Sequence, residues 1–112
     1  MKVHISYNGK LFAANVILAT SFWLKLSGYM FRNMPHVPGI LFKTNSIQTT
    51  FMKFDLDLVF LTKDYQVVKI IRNLKPWRFT AFYFKARWTL ELPTGLLPDD
   101  LKEGDILEVT NV

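Results

Sequence analysis

The segment Lys2–Tyr7, KVHISY, puts Val3, Ile5 and Tyr7 on one side of an extended chain and Lys2, His4 and Ser6 on the other; Asn8-Gly9 follows at once. Strict alternation is the period of a half-buried strand. Asn-Gly is the dipeptide that best accepts positive φ at both central positions of a two-residue hairpin. The chain therefore starts as an antiparallel hairpin, with a return strand over 10–19. Whatever follows has to cover the apolar face of a sheet.

The rest of the chain continues mostly in strands. The stretch TSFWLKLSGYMFR changes period: Phe22, Leu26, Tyr29 and Met30 recur at helical spacing, with Thr20 or Ser21 as N-cap, which predicts a short amphipathic helix near 20–31. NMPHVPG is a loop broken by Pro35, Pro38 and Gly39, and ILFK is a short buried strand. From Asn45 to Leu61 the apolar side switches. Ile47 and Phe51 lie on odd positions, whereas Met52, Phe54, Leu56 and Leu58 lie on even ones. One straight strand cannot change its buried face, so the pattern predicts two strands, 45–52 and 56–62, with a polar bend between them. QVVKII reads as a strand, RNLKPWR as an irregular loop around Pro76, FTAFYFKARWTLEL as one or two strands, and ILEVTN as a closing strand. Short strands separated by turns predict a mainly β fold: a single sandwich- or barrel-like domain over 1–112.

Composition narrows the function classes. With 112 residues, half of them hydrophobic, the chain can build one core. The absence of cysteine excludes disulfides and thiolate metal sites. The net charge of +5 is uneven: Lys69, Arg72, Lys75, Arg78, Lys85 and Arg87 fall between Tyr65 and Leu90 with no acid among them. Such a zone serves either as a set of solvated strand positions or as a surface for anions and nucleic acid, and the solvated reading is preferred here. LFAANVILATSFWLKL is broken by Asn15, Thr20 and Ser21 and is too short to span a bilayer. The hairpin signal at Asn8-Gly9 argues against reading the start as an export leader, so a cytoplasmic location is expected.

Several ordered motifs resemble one known family. GILFKTNSIQTTFMKFDLDLVFL (Gly39 to Leu61), LKPWR (Leu74 to Arg78), ELPTG (Glu91 to Gly95) and the late Gly104-Asp105 are similar to the uncharacterised prokaryotic family called domain of unknown function 192, over roughly residues 16–107. The resemblance implies a mostly β fold and no established activity. Two departures stand out: Gln48 stands where the family usually has His, and Asp55 where it usually has Pro. Gln cannot shuttle protons near neutral pH but keeps its hydrogen-bonding capacity. A role shared by His and Gln is structural or recognitional, which argues against an enzyme.

The residues that carry chemistry are few. Asp55 and Asp57 lie two apart and could act as an acid–base pair, but capping of the bend by Asp57 is the favoured reading. In LKPWR, Lys75, Trp77 and Arg78 suit an anion or sugar: two charges beside a flat ring. Ser46, Thr49 and Thr50 have no neighbouring base, and His4 and His36 show no ligand spacing, so neither a nucleophilic triad nor a metal site is expected. Phe79, Phe82, Phe84 and Trp88 interleave with Lys85 and Arg87 as in a stacking platform, although core filling is the preferred reading of these rings. The expectation is a small non-catalytic domain, without cofactor or metal, that binds an anionic or polyhydroxy ligand through Asn45, Ser46, Gln48, Asp57, Lys75, Trp77 and Arg78. The alternatives are a single-stranded nucleic-acid-binding module using the 69–87 basic surface, and a carboxylate-based hydrolase pairing Asp57 with Glu91. No pattern specifies an oligomeric state.

Overall fold

In the computed structural model, residues 1–19, 38–49 and 52–112 are described. The helix expected near 20–31 lies outside them. The described elements are all strands: β1 (Lys2–Tyr7), β2 (Lys10–Ala19), β3 (Ile40–Phe42), β4 (Leu56–Leu61), β5 (Val67–Leu74), β6 (Trp88–Pro93) and β7 (Glu108–Asn111). They form one sheet in the order β5-β4-β6-β3-β2-β1-β7. No helix of the described residues is long and apolar enough to cross a membrane.

The hairpin forms as its turn dictates. Asn8 and Gly9 have φ of 50° and 78°, and Tyr7 pairs with Lys10. The ladder between β1 and β2 slips near Asn15, which has φ of 57°. There Asn15 N–H donates to His4 Nδ1 at 3.2 Å, so this imidazole serves the irregular backbone. The β2–β3 pairing is parallel, and every other ladder is antiparallel.

The sheet also curls until its two ends meet. Val67 N–H donates to Asp105 O at 2.7 Å and Leu107 N–H to Tyr65 O at 3.0 Å, with Gln66 bridging Ile106. The start of β5 is thus joined to the chain entering β7, and the sandwich- or barrel-like expectation resolves toward a barrel. Asp105 pins this seam from the side. Its carboxylate accepts from the Tyr7 hydroxyl at 2.7 Å and from Lys102 N–H at 2.9 Å. The Tyr7 bond in particular holds the carboxyl below the usual carboxylate range.

Side-chain alternation sorts the core into two clusters. Val3, Ile5, Val16, Leu41, Val59 and Leu90 belong to the cluster enclosed by the curled sheet. Ile40, Phe42, Leu56, Leu58 and Phe60 face the other way and pack with Met52 and Ala86. Strands β3 and β4 are therefore buried at every position, as is most of β6. This explains why LDLVFL is almost continuously apolar: both of its faces are covered.

The expectation of two strands within 45–62 holds for the second only. Residues 45–49 do not join a ladder beyond the single bridge Gln48–Phe79. They cross the second face instead, and Ile47, Phe54 and Tyr83 pack there. Similarly, FTAFYFKARWTLEL yields one strand, β6, and its first half is irregular.

Gly39 lies where β3 meets both neighbours. A Cβ at this position would come 2.7 Å from Leu92 Cδ2 and 3.2 Å from the Glu91 carbonyl oxygen. The Leu92 methyl can shift, but the β6 backbone resists. Gly39→Ala is expected to lower stability by about 1–3 kcal/mol, read as a reduced denaturant midpoint at unchanged slope. An unaltered midpoint would contradict this packing.

Candidate functional site

The segment Asn45–Thr49 and the loop 75–83 are fastened to each other, and Thr49 is the fastener. Its backbone N–H donates to Arg78 O at 2.8 Å, and its carbonyl accepts from Trp77 N–H at 2.9 Å. Its hydroxyl accepts from Arg78 N–H at 2.8 Å and donates to Lys75 O at 2.9 Å. Thr49 is only 1% exposed, so these bonds are shielded from water. Further along, Thr80 N–H donates to Ile47 O and Ile47 N–H to the Thr80 hydroxyl, both at 2.9 Å; Tyr83 N–H donates to Asn45 O at 3.0 Å.

Locking this backbone decides where the rings go. Trp77 takes φ of 62°, the left-handed region, where it turns outward. Tyr83 stacks inward on Phe60 with centroids 4.5 Å apart, and Ala86 is buried. The other rings of this segment face solvent: Trp77 is 57% exposed, Phe79 79%, Phe82 67% and Phe84 87%. The expectation that Phe79, Phe82 and Phe84 fill the core is therefore corrected. Strand residues, with Met52 and Ala86, already fill the second cluster, and the loop follows no strand period that could turn these rings inward. Trp88 is half-buried against Tyr65, with centroids 6.3 Å apart.

Cations are interleaved with the rings along the chain. Arg78, Lys85 and Arg87 are exposed, and Arg87 is anchored through its N–H to Leu61 O at 2.7 Å. Two shallow grooves meet at Arg87. One, of about 350 Å³, is lined by Lys43, Thr44, Asn45, Ala86 and Arg87. The other, of about 360 Å³, is lined by residues that include Lys63, Gln66, Phe84, Lys85 and Arg87, with Asp64 as its acid. Sequence reasoning missed Lys43 and Lys63. Each follows closely on a strand, a position from which a side chain can reach over a sheet rim.

The sequence-predicted site residues divide. Gln48, Lys75, Trp77 and Arg78 are all exposed on the fastened segment and loop. Lys75 is ion-paired with Asp55 at 2.8 Å, a solvated contact that contributes little to stability. Asn45 is half-buried and lines the first groove; Ser46 is half-buried, and its carbonyl accepts from the Thr44 hydroxyl at 3.1 Å. Asp57 stands apart from the open surface. It is buried, and its carboxylate accepts at 2.8 Å from the N–H of Asn73, the left-handed residue of β5 with φ of 55°.

Asp57 and Glu91 do not form a pair. Asp57 is in register with Leu92 and Glu91 with Leu58, so the two acids project from opposite faces of the sheet. Among the described residues, no group of three His, Asp or Glu is placed to hold a metal ion.

Comparison with known proteins places the chain once this geometry is in view. Residues 3–109 match the model of the family DUF192, described as an uncharacterized ACR. The chain belongs to the DUF192 family. The match extends past both ends of the 16–107 stretch that carries the family motifs. The UPF0127 protein of Pyrococcus furiosus is 30% identical over 106 residues, covering 89% of this chain and 90% of that one. Two solved structures share the DUF192 fold. One, a protein of unknown function from Novosphingobium aromaticivorans, superposes with a TM-score of 0.74 at 22% identity, over 96% of this chain and 84% of that one. The other, a proposed transcription regulator from Sinorhizobium meliloti, has a TM-score of 0.76 at 23% identity, over 96% and 92%. Within this DUF192 chain, Gln48 bridges Phe79 at the fastened segment.

Two expected outcomes follow. Thr49→Val removes the buried hydroxyl while keeping its volume, leaving Arg78 N–H and Lys75 O short of a partner. A loss of about 1–3 kcal/mol is expected, with faster amide exchange confined to 75–80; unchanged exchange there would deny Thr49 its role. Burial pushes the Glu91 carboxyl from 4.5 up to about 8. Between those values the native state holds the proton more tightly than the unfolded chain, so stability falls as pH rises through this range. The wild type should lose on the order of a few kcal/mol between about pH 5 and 8, and Glu91→Gln should flatten that slope. A variant whose pH–stability curve matches the wild type would refute the assignment.

Proposed function

We propose that this chain is a non-catalytic binding domain that holds an anionic ligand on the open face of the 75–87 segment. The observation that carries the reading is the row of exposed rings, Trp77, Phe79, Phe82 and Phe84, interleaved with Arg78, Lys85 and Arg87 on a backbone fastened by Thr49. Large apolar rings held in water are costly unless they meet something. Rigid rings and pre-positioned charges lose little entropy on binding. Arg78 and Lys75 hold the charge, Trp77 stacks on the ligand, and Gln48 and Asn45 bond its polar edges. Asp57 contributes from behind, by shaping the β5 bulge at the foot of the loop.

Among the described residues, three groups that an enzyme could use are otherwise engaged. The Thr49 hydroxyl is committed to the loop backbone, His4 to Asn15, and the Asp57 carboxylate to Asn73. This supports binding rather than chemistry.

A calorimetric panel of inorganic pyrophosphate, inorganic polyphosphate and nucleotides tests the reading. Arg78→Ala and Trp77→Ala should each weaken the best-bound anion on the order of ten-fold without lowering the melting temperature. Wild-type affinity in both variants, or no anion bound by the wild type, would overturn it.

A further inference from the structure

We infer that the anion is single-stranded nucleic acid, its backbone following the two grooves that meet at Arg87 and its bases stacking on the exposed phenylalanines. The inference rests on the anion-binding reading above and names its ligand. Three features point to a strand rather than a compact anion. The cations are spread along a path: Lys43 and Arg87 in the first groove, then Lys63 and Lys85 in the second. Phosphates repeat along a polynucleotide and match a row of charges better than one cluster. Phe84 lines the second groove beside Lys85, so a ring and a cation share one wall, and Phe79 and Phe82 follow on the same loop. Every base has a stacking face, whatever its identity.

The path is also anchored on both sides. Arg87 N–H is bound to Leu61 O, and the Thr89 hydroxyl donates to Thr44 O at 2.9 Å, which ties the two walls of the first groove together. Among the described residues, Lys63, Lys85 and Arg87 have no carboxylate in ion-pair contact. Duplex fits this surface worse, because protruding rings need unstacked bases to receive them. A bilayer fits worse too, because a planar surface cannot follow a groove whose cations lie on its walls.

The test measures fluorescence anisotropy of labelled oligouridine and oligothymidine of about 12 nucleotides, within the usual range of such sites. Comparators are a duplex of equal length, inorganic polyphosphate of matched charge as competitor, and phosphatidylglycerol vesicles by co-sedimentation. The expected result is preferential binding of the single strand, with a log–log salt slope of about −2 to −3, as three or four displaced cations give. The double variant Phe82→Ala, Phe84→Ala should lose on the order of ten-fold or more in strand affinity and much less toward polyphosphate, which has no bases to stack. Both rings are largely exposed, so folding is unaffected. Polyphosphate bound as tightly as the strand, with no loss in the ring variant, would overturn the nucleic-acid inference and leave the anion reading standing. Preference for duplex or vesicles would overturn it in the same way. No binding of strand or polyphosphate would overturn both.

Discussion

The candidate site depends on Thr49. A loop such as 75–87 has little secondary structure, and its backbone groups must still be satisfied where they leave water. One buried threonine meets Lys75, Trp77 and Arg78 with both its main chain and its hydroxyl. Those bonds hold the left-handed turn at Trp77 and fasten the loop on which Trp77, Phe79, Phe82 and Phe84 are exposed. A hydroxyl that resembles a nucleophile in the sequence is thus an architectural group.

The barrel beneath supplies the rigid floor. β3, β4 and most of β6 are covered on both faces, by the enclosed cluster and by the segments crossing the second face. Glu91 is an exception within this apolar region: it lies on the second face beside Leu58, and burial raises its carboxyl toward neutrality at physiological pH. It affects the pH dependence of stability from within the core, apart from the basic loop surface.

Much of the fold was legible because it is local. Alternation in KVHISY, the Asn-Gly turn, the apolar ILF and the closing EVTN each announce a strand without reference to the rest of the chain, and all are strands in the sheet. Residues 45–49 carry a strand-like pattern without forming a ladder: Ile47 is half-buried against the second cluster from an irregular segment. The phenylalanines between 79 and 84 were misread because composition favours aromatic residues inside. Their direction is set by hydrogen bonds from a segment some thirty residues away, which no local window contains.

By itself, the sequence determined the mainly β class, the opening hairpin, the family and the basic, acid-free stretch from Tyr65 to Leu90. These follow from local periodicity, turn chemistry and ordered motifs, which neighbouring residues carry on their own. Tertiary structure alone decided that the sheet curls shut through Val67 and Asp105, that Asp57 and Glu91 project from opposite faces, and that Trp77, Phe79, Phe82 and Phe84 are exposed rather than buried. Register and loop docking join residues distant in the chain. Their outcome depends on which partners are left to satisfy backbone groups once the core has filled.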